Sequence, residues 1–176
     1  MVTIIFESHS TTVDNAKHIS SGHADVELSE LGQRQARELG ERYADDKFDA
    51  IFCSDLRRSY HTAELAFANR WPIVRDARLR ECDYGELTQH PSSEVDPAKA
   101  QHITEPFPGG ESYTDCAKRM KAFLEELRAK YDGKRVMIIG HRATHYALDH
   151  LILNEDLGHA VTKPWAWQPG WTYQLT

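Results

Sequence analysis

The sequence predicts an α/β fold: three layers, with a mostly parallel central sheet and helices on both faces. Three short apolar runs carry that prediction, Val2 to Phe6, Ala50 to Cys53 and Val136 to Ile139. Each gives way at once to polar residues and then to a helical pattern, the alternation that buried parallel strands require. A chain of 176 residues, 40% of them apolar, fits one domain over residues 1–176 with one sizeable core.

Each element has its own local reason. The first helix follows Ser29, which can cap free backbone N–H groups. Glu30 then suits the positive helix end, and Leu31, Ala36, Leu39 and Tyr43 recur at helical spacing. A second helix is expected from Ser54, with Leu56, Tyr60, Ala63 and Phe67 on one face. The longest helix opens on Ser112 and Asp115, a capping box with the shorter acid. Its stripe runs from Tyr113 through Cys116, Met120, Phe123 and Leu127 to Tyr131, and Gly133 stops it. A fourth helix follows His141 and buries Tyr146, Ala147 and Leu151, and Trp171 to Leu175 adds a last strand or an edge. Residues 86–108, punctuated by prolines and poor in large apolar groups, read as an irregular excursion or short helical insert, a form that substrate lids often take.

Composition narrows the function. The net charge of −6, with no Lys/Arg run, implies neither a nucleic-acid nor an anionic-membrane partner. The apolar start is too short for a signal peptide or a membrane span, so a cytoplasmic location is expected. Cys53, Cys82 and Cys116 are odd in number and contain no CxxC, which argues against a disulfide framework and a cysteine-based zinc site.

In an open parallel sheet, ligands collect at the carboxyl ends of the strands. His9 follows the first strand, Ser54 and Arg58 the second, and His141 the third strong run. A lone histidine there is more often a cap or a hydrogen-bonded filler. Two histidines and an arginine at one sheet edge instead suit an anion site with a nucleophile in it. Helix N-termini supply N–H donors, and arginine supplies a fork that matches phosphate oxygens. A neutral imidazole can attack phosphorus, and a second, protonated one can stabilise the spread charge.

Five segments carry a resemblance. Phe48-Asp-Ala-Ile-Phe-Cys-Ser-Asp-Leu-Arg-Arg-Ser-Tyr-His-Thr-Ala-Glu64, Leu28-Ser-Glu-Leu-Gly-Gln-Arg-Gln-Ala36, Gly109-Gly-Glu-Ser112, Ile138-Ile-Gly-His141 and Leu79-Arg-Glu-Cys-Asp-Tyr-Gly85 occur in that family's order and spacing. Together they resemble the histidine phosphatase superfamily, of phosphoglycerate-mutase-like fold, from residue 2 to about residue 150. The resemblance implies that His9 is the nucleophile, that Arg58 clamps the phosphate and that Glu81 donates a proton to the leaving oxygen. It implies that His141 stabilises the transferring group and that Asn15 lies near the phosphate. No metal or organic cofactor is implied, and the partner is a small phosphorylated or anionic substrate.

Two departures bear on activity. The family's Arg-His-Gly reads Ser8-His9-Ser10 here, so a short hydroxyl stands where a phosphate-binding guanidinium is usual. Losing one preorganised donor costs a factor of about 100 to 1,000 in rate. Arg142 stands where glycine is common after the second histidine. Its guanidinium either replaces part of the lost clamp or points to solvent. His141 and His145 have an i, i+4 spacing but lack a glutamate base and a third ligand, so a metal role is not assigned, and His145 is expected against its helix or at the pocket rim. Trp165, Trp167 and Trp171 suit a substrate mouth, a packed edge or a homodimer contact equally. The expectation is a phosphomonoester hydrolase with a weakened clamp, preferred over a mutase because the chain is short. The alternative is a nearly silent member that binds an anionic metabolite or a regulatory partner.

Overall fold

The computed structural model describes residues 1–176. Its elements in chain order are β1 (Val2–Ser8), β2 (Ile19–Ser20), α1 (Glu30–Arg42), β3 (Ala50–Cys53), α2 (Arg57–Phe67), β4 (Ile73–Arg75), β5 (His90–Pro91), α3 (Ser92–Ala98), α4 (Tyr113–Lys130), β6 (Arg135–Gly140), α5 (Arg142–Leu153), α6 (Leu157–Thr162) and β7 (Trp171–Leu175). Five strands form the main sheet in the order β4-β3-β6-β1-β7. All neighbouring pairs are parallel except β1 with the edge strand β7.

Alternation along the strands divides the core between two faces. Ile4, Phe6, Phe52 and Ile138 pack with residues of α4, α5 and α6 on one face. Ile5, Ile51, Cys53, Met137 and Ile139 pack with residues of α1 and α2 on the other. Both faces are therefore covered, as continuous apolar strands demand. The three-layer α/β fold is the one expected from the sequence.

Local signals hold with three corrections. Ser29 accepts from the Gly32 N–H, and Ser112 with Asp115 forms the capping box at the start of α4. The second helix begins at Arg57, not Ser54. Ser54 stays in the preceding turn because its hydroxyl is bonded to His141 and accepts from the Leu56 N–H. Leu31 is exposed rather than on the core stripe. The buried set of α1 is Gly32, Ala36, Leu39 and Gly40, so small residues make the close helix contact and Leu31 falls off their face. Tyr60, Tyr131 and Leu151 are only half-buried.

Residues 86–108 form a helical insert that contains β5 and α3. Its β5 pairs with β2, Ile19 opposite Pro91, so the insert is tied to the loop that follows His9. No helix is long and apolar enough to cross a membrane.

The sheet positions the site through register. Ser8 pairs with Gly140 at the carboxyl ends of β1 and β6, and the His9 N–H continues the ladder to the Gly140 carbonyl at 3.0 Å. His9 and His141 thus leave two adjacent parallel strands at the same level. The next strand, β3, delivers Ser54 to the same edge.

Candidate active site

His9 is oriented by a single backbone contact. Its Nδ1 lies 2.8 Å from the Ser10 carbonyl oxygen, which can only accept, so Nδ1 carries the proton. Nε2 is left with the free lone pair. Ser10 is held in turn by its own N–H, which donates to Thr62 Oγ1 at 3.1 Å. Burial, and then the Arg58 guanidinium with a smaller push from Arg142, holds the His9 imidazole down to about 3. The ring is neutral across the ordinary pH range.

His141 caps the N-terminus of α5, with its ring centroid 5.1 Å from that of His9. Its N–H donates to Thr144 Oγ1, and its Nε2 lies 2.7 Å from Ser54 Oγ. Its Nδ1 is buried and has no partner. Burial first, then Arg58, His9, Arg119 and His23, hold this imidazole well below its ordinary value. An orphan nitrogen on a buried ring beside His9 is a group awaiting a ligand.

Arg58 projects from the first turn of α2 and is buried. Its Nη1 donates to the Ala24 carbonyl at 2.9 Å and its Nη2 to the Gly22 carbonyl at 2.6 Å. A guanidinium fixed by two carbonyls keeps its full charge and cannot swing away. The Glu81 carboxylate, also buried, sits at the N-terminus of α5. Its Oε1 accepts from the N–H groups of Cys82 and Ala143, at 2.8 and 3.1 Å, and its Oε2 accepts from Arg142 N–H at 3.2 Å.

Eight of the residues singled out in the sequence line one cavity of about 820 Å³: Ser8, His9, Ser10, Asn15, Arg58, Glu81, His141 and Arg142; Ser54 stands behind it, bonded to His141. That volume is in the range of small-molecule sites. Asn15 is positioned by a reciprocal pair, its Oδ1 accepting from Thr12 N–H while its own N–H donates to Thr12 Oγ1. The Arg142 guanidinium lies over the Trp165 ring at 4.8 Å, with Nη1 3.9 Å from Asp96. It stands on the wall shared with the insert and Trp165.

Other residues fall elsewhere. His145 is buried away from the cavity, against Phe6 and Trp171 at ring distances of 5.4 and 4.6 Å. It does not meet His141 as a metal pair. His61 is not among the residues of the cavity. The three metal-capable groups that do converge, Cys82, Glu111 and Cys116, hold Arg119 among them. Its Nη2 lies 3.1 Å from Glu111 and 3.4 Å from Cys116, a fixed positive charge where a cation would need to sit.

The sequence reading missed part of the wall. Lys99 and Asp96 of the insert pair at 2.7 Å and line the cavity, as do Tyr84, Glu7 and Arg42. None lies on a periodic pattern that points to the sheet edge. Only the invitation to read residues 86–108 as a substrate-facing insert could have found Lys99 and Asp96.

A neutral imidazole with a free lone pair, a fixed guanidinium and a buried second imidazole suit nucleophilic attack on an anionic phosphoryl group. Comparison with known proteins agrees. The profile of the histidine phosphatase superfamily (branch 1) matches residues 4–166. Phosphoserine phosphatase 1 of Hydrogenobacter thermophilus is 30% identical over 166 residues, covering 89% of this chain and 79% of its own. A mycobacterial glucosyl-3-phosphoglycerate phosphatase solved with VO3 superposes with a TM-score of 0.80 at 29% identity, over 90% of this chain and 85% of that one. YhfR of Bacillus stearothermophilus gives a TM-score of 0.83 at 25% identity, over 96% of this chain and 88% of that one. With the family's profile covering nearly the whole length and its relatives named as phosphatases and phosphoglycerate mutases, this chain belongs to the histidine phosphatase superfamily and is an enzyme of that type.

Proposed function

We propose that the protein is a phosphomonoester hydrolase that works through a phosphohistidine on His9, with a clamp weakened at Ser8. One observation carries the reading. The Nδ1–H of His9 is tied to the Ser10 carbonyl, which leaves Nε2 as the free lone pair in a cavity that also holds Arg58, Glu81 and His141.

In the first step the Nε2 lone pair forms a bond to phosphorus and the ester P–O bond breaks. The leaving oxygen takes a proton from the Glu81 carboxyl group. Arg58 lies against the phosphoryl oxygens, and His141, through its unpartnered Nδ1, donates to one of them once protonated. In the second step water attacks phosphorus and the P–N bond breaks. Glu81 takes the proton from that water, and inorganic phosphate leaves. Ser8 offers one neutral hydrogen bond where the family places a guanidinium, which slows both steps without removing a reacting group. Asn15, Ser10 and Arg142 line the same cavity, and on this reading they take part in holding the substrate. The size of the cavity supports a small phosphorylated substrate.

Hydrolysis is favoured over mutase action because the chain lacks the long insertions that hold a sugar-acid substrate and retain the phosphoenzyme. The Ser8 substitution also motivates a second reading, a nearly silent member that binds an anion without useful turnover.

The test is hydrolysis of p-nitrophenyl phosphate between about pH 5 and 7.5 by wild type and His9→Ala. Trapping of acid-labile, base-stable phosphate on the protein accompanies it. Turnover and labelling that both vanish in His9→Ala support the proposal. Phosphate or vanadate binding without turnover or labelling replaces it with the binding reading.

A further inference from the structure

We infer that His23 is a positioning residue for the proton donor Glu81, acting from the same turn that anchors Arg58; the inference rests on the hydrolase reading above. His23 lies in a loop outside every segment that carried the family resemblance, and it does not touch the cavity. Its Nε2 is 2.7 Å from the Glu81 carbonyl oxygen. That oxygen can only accept, so Nε2 carries the proton and donates. The residues on either side turn the other way. The carbonyls of Gly22 and Ala24 take the two Arg58 Nη groups, at 2.6 and 2.9 Å. Three consecutive residues therefore hold, in alternation, the phosphate clamp, the backbone of the proton donor, and the clamp again.

The imidazole is itself braced. Asp83 lies 3.7 Å from its Nδ1, and Glu111 lies 3.6 Å from its Nε2. Arg119, whose Nη2 also donates to the Glu81 carbonyl at 2.9 Å, fixes Glu111 from the far side. The backbone of Glu81 is thus pinned at its carbonyl by two side chains, while its carboxylate reaches the N-terminus of α5. Removing the His23 contact leaves the distance from Glu81 to the leaving oxygen set by one pin instead of two. A displacement of about 1 Å in a catalytic group can cost about 100-fold in rate. Arg58 is affected less, because its own anchors are backbone carbonyls that do not depend on the side chain at 23.

Leaving-group dependence separates this role from general loosening. A nitrophenolate departs without a proton, whereas the phenolate of phenyl phosphate benefits from one. We expect His23→Ala to lower kcat/KM for phenyl phosphate about 10- to 30-fold and for p-nitrophenyl phosphate less than about threefold. His23→Gln, whose amide N–H can still donate to the carbonyl, should recover most of the phenyl phosphate rate. His23→Leu, which fills the space without a donor, carries the same expectation as alanine if that variant unfolds. Equal losses on both esters, or no recovery in His23→Gln with the fold intact, overturn the inference and leave the hydrolase reading standing. Wild type that hydrolyses neither ester and acquires no phosphohistidine removes that reading, and this inference with it.

Discussion

Ser8→Arg should raise kcat/KM on an aryl phosphate about 100-fold. Ser8 borders the cavity directly before the nucleophile, at the last paired position of β1. A guanidinium there would sit within roughly 4 Å of a bound phosphoryl oxygen. At an effective dielectric of about 20, two unit charges at that separation attract by about 4 kcal/mol. Part of this is offset, because the added cation stands near Arg58 and loses hydration when substrate binds. Removing one preorganised donor from comparable sites costs about 2.7 to 4 kcal/mol, or a factor of about 100 to 1,000. The lower end applies here, since a further cation also pushes the His9 imidazole down and makes it a weaker nucleophile. The assay is initial-rate hydrolysis of p-nitrophenyl phosphate at fixed ionic strength, with thermal melting as a folding control. The double variant Ser8→Arg with His9→Ala must be inactive. A well-folded Ser8→Arg protein that is slower than wild type would mean that the clamp has been rebuilt around the serine, with Arg142 the next residue to remove.

Three further outcomes follow from the geometry. Ser54→Ala leaves His141 Nε2 without a partner and frees the Leu56 N–H. It should cost about 1 to 3 kcal/mol in urea unfolding and lower kcat more than it raises KM. Gly110→Ala would put a Cβ 2.2 Å from the Asp83 carbonyl oxygen, in the turn that braces the Glu81 segment. The expected loss is about 1 to 3 kcal/mol, with kcat falling through displacement of Glu81. Stability should also fall with acid. Burial holds His9 down to about 3 and His141 well below its ordinary value, whereas in the unfolded chain both titrate near 6.5. Between those limits the unfolded chain binds the extra protons. Stability from each ring is therefore complete above about pH 6.5 and is lost as the pH falls below it, for His9 down toward about 3, at up to about 1.4 kcal/mol per pH unit. Melting curves from pH 7 to 5 should flatten in His141→Gln, and an unchanged slope would show that other groups carry the acid sensitivity.

The sheet edge was legible in the sequence because strand burial and strand ends are local properties. Continuous apolar runs fixed β1, β3 and β6, and whatever follows such runs must gather at one edge. His9, Ser54, Arg58 and His141 were found in that way, from position as much as from resemblance. His23, Lys99 and Asp96 were not. Each sits in a loop or short insert whose path is decided by contacts far along the chain, His23 with Glu81 and the insert with β2. The start of α2 failed for a related reason. Ser54 is a good capping residue by type, yet its hydroxyl is claimed by a histidine 87 residues away, and tertiary demand overrides the local preference. In α1 the large apolar residue misled, because Gly40 approaches the backbone of Ala66 so closely that a Cβ there would lie 2.4 Å from its carbonyl oxygen. Close helix packing selected small residues, and Leu31 was left outside.

On the proposed mechanism, the charges around the two imidazoles hold the site idle until an anion is bound. Beyond burial, the Arg58 guanidinium is the largest influence that lowers both rings, joined by Arg142 at His9 and by Arg119 at His141. With no anion bound, each added proton would join a cluster of cations in a partly dry cavity. A phosphoryl dianion reverses the sign of that sum, since it pairs with Arg58 and faces the unpartnered His141 Nδ1. His141 can then take a proton and donate to the oxygen on which charge accumulates, while His9, whose Nδ1–H is already committed to Ser10, keeps its lone pair for phosphorus. The division of labour between two similar rings thus comes from their partners. A carbonyl fixes the tautomer of the nucleophile, and a hydroxyl with an empty second nitrogen leaves the other ring free to change its charge when substrate arrives. On this account Ser8 lowers the positive sum by one, which weakens the attraction for phosphate and leaves the assignment of roles intact.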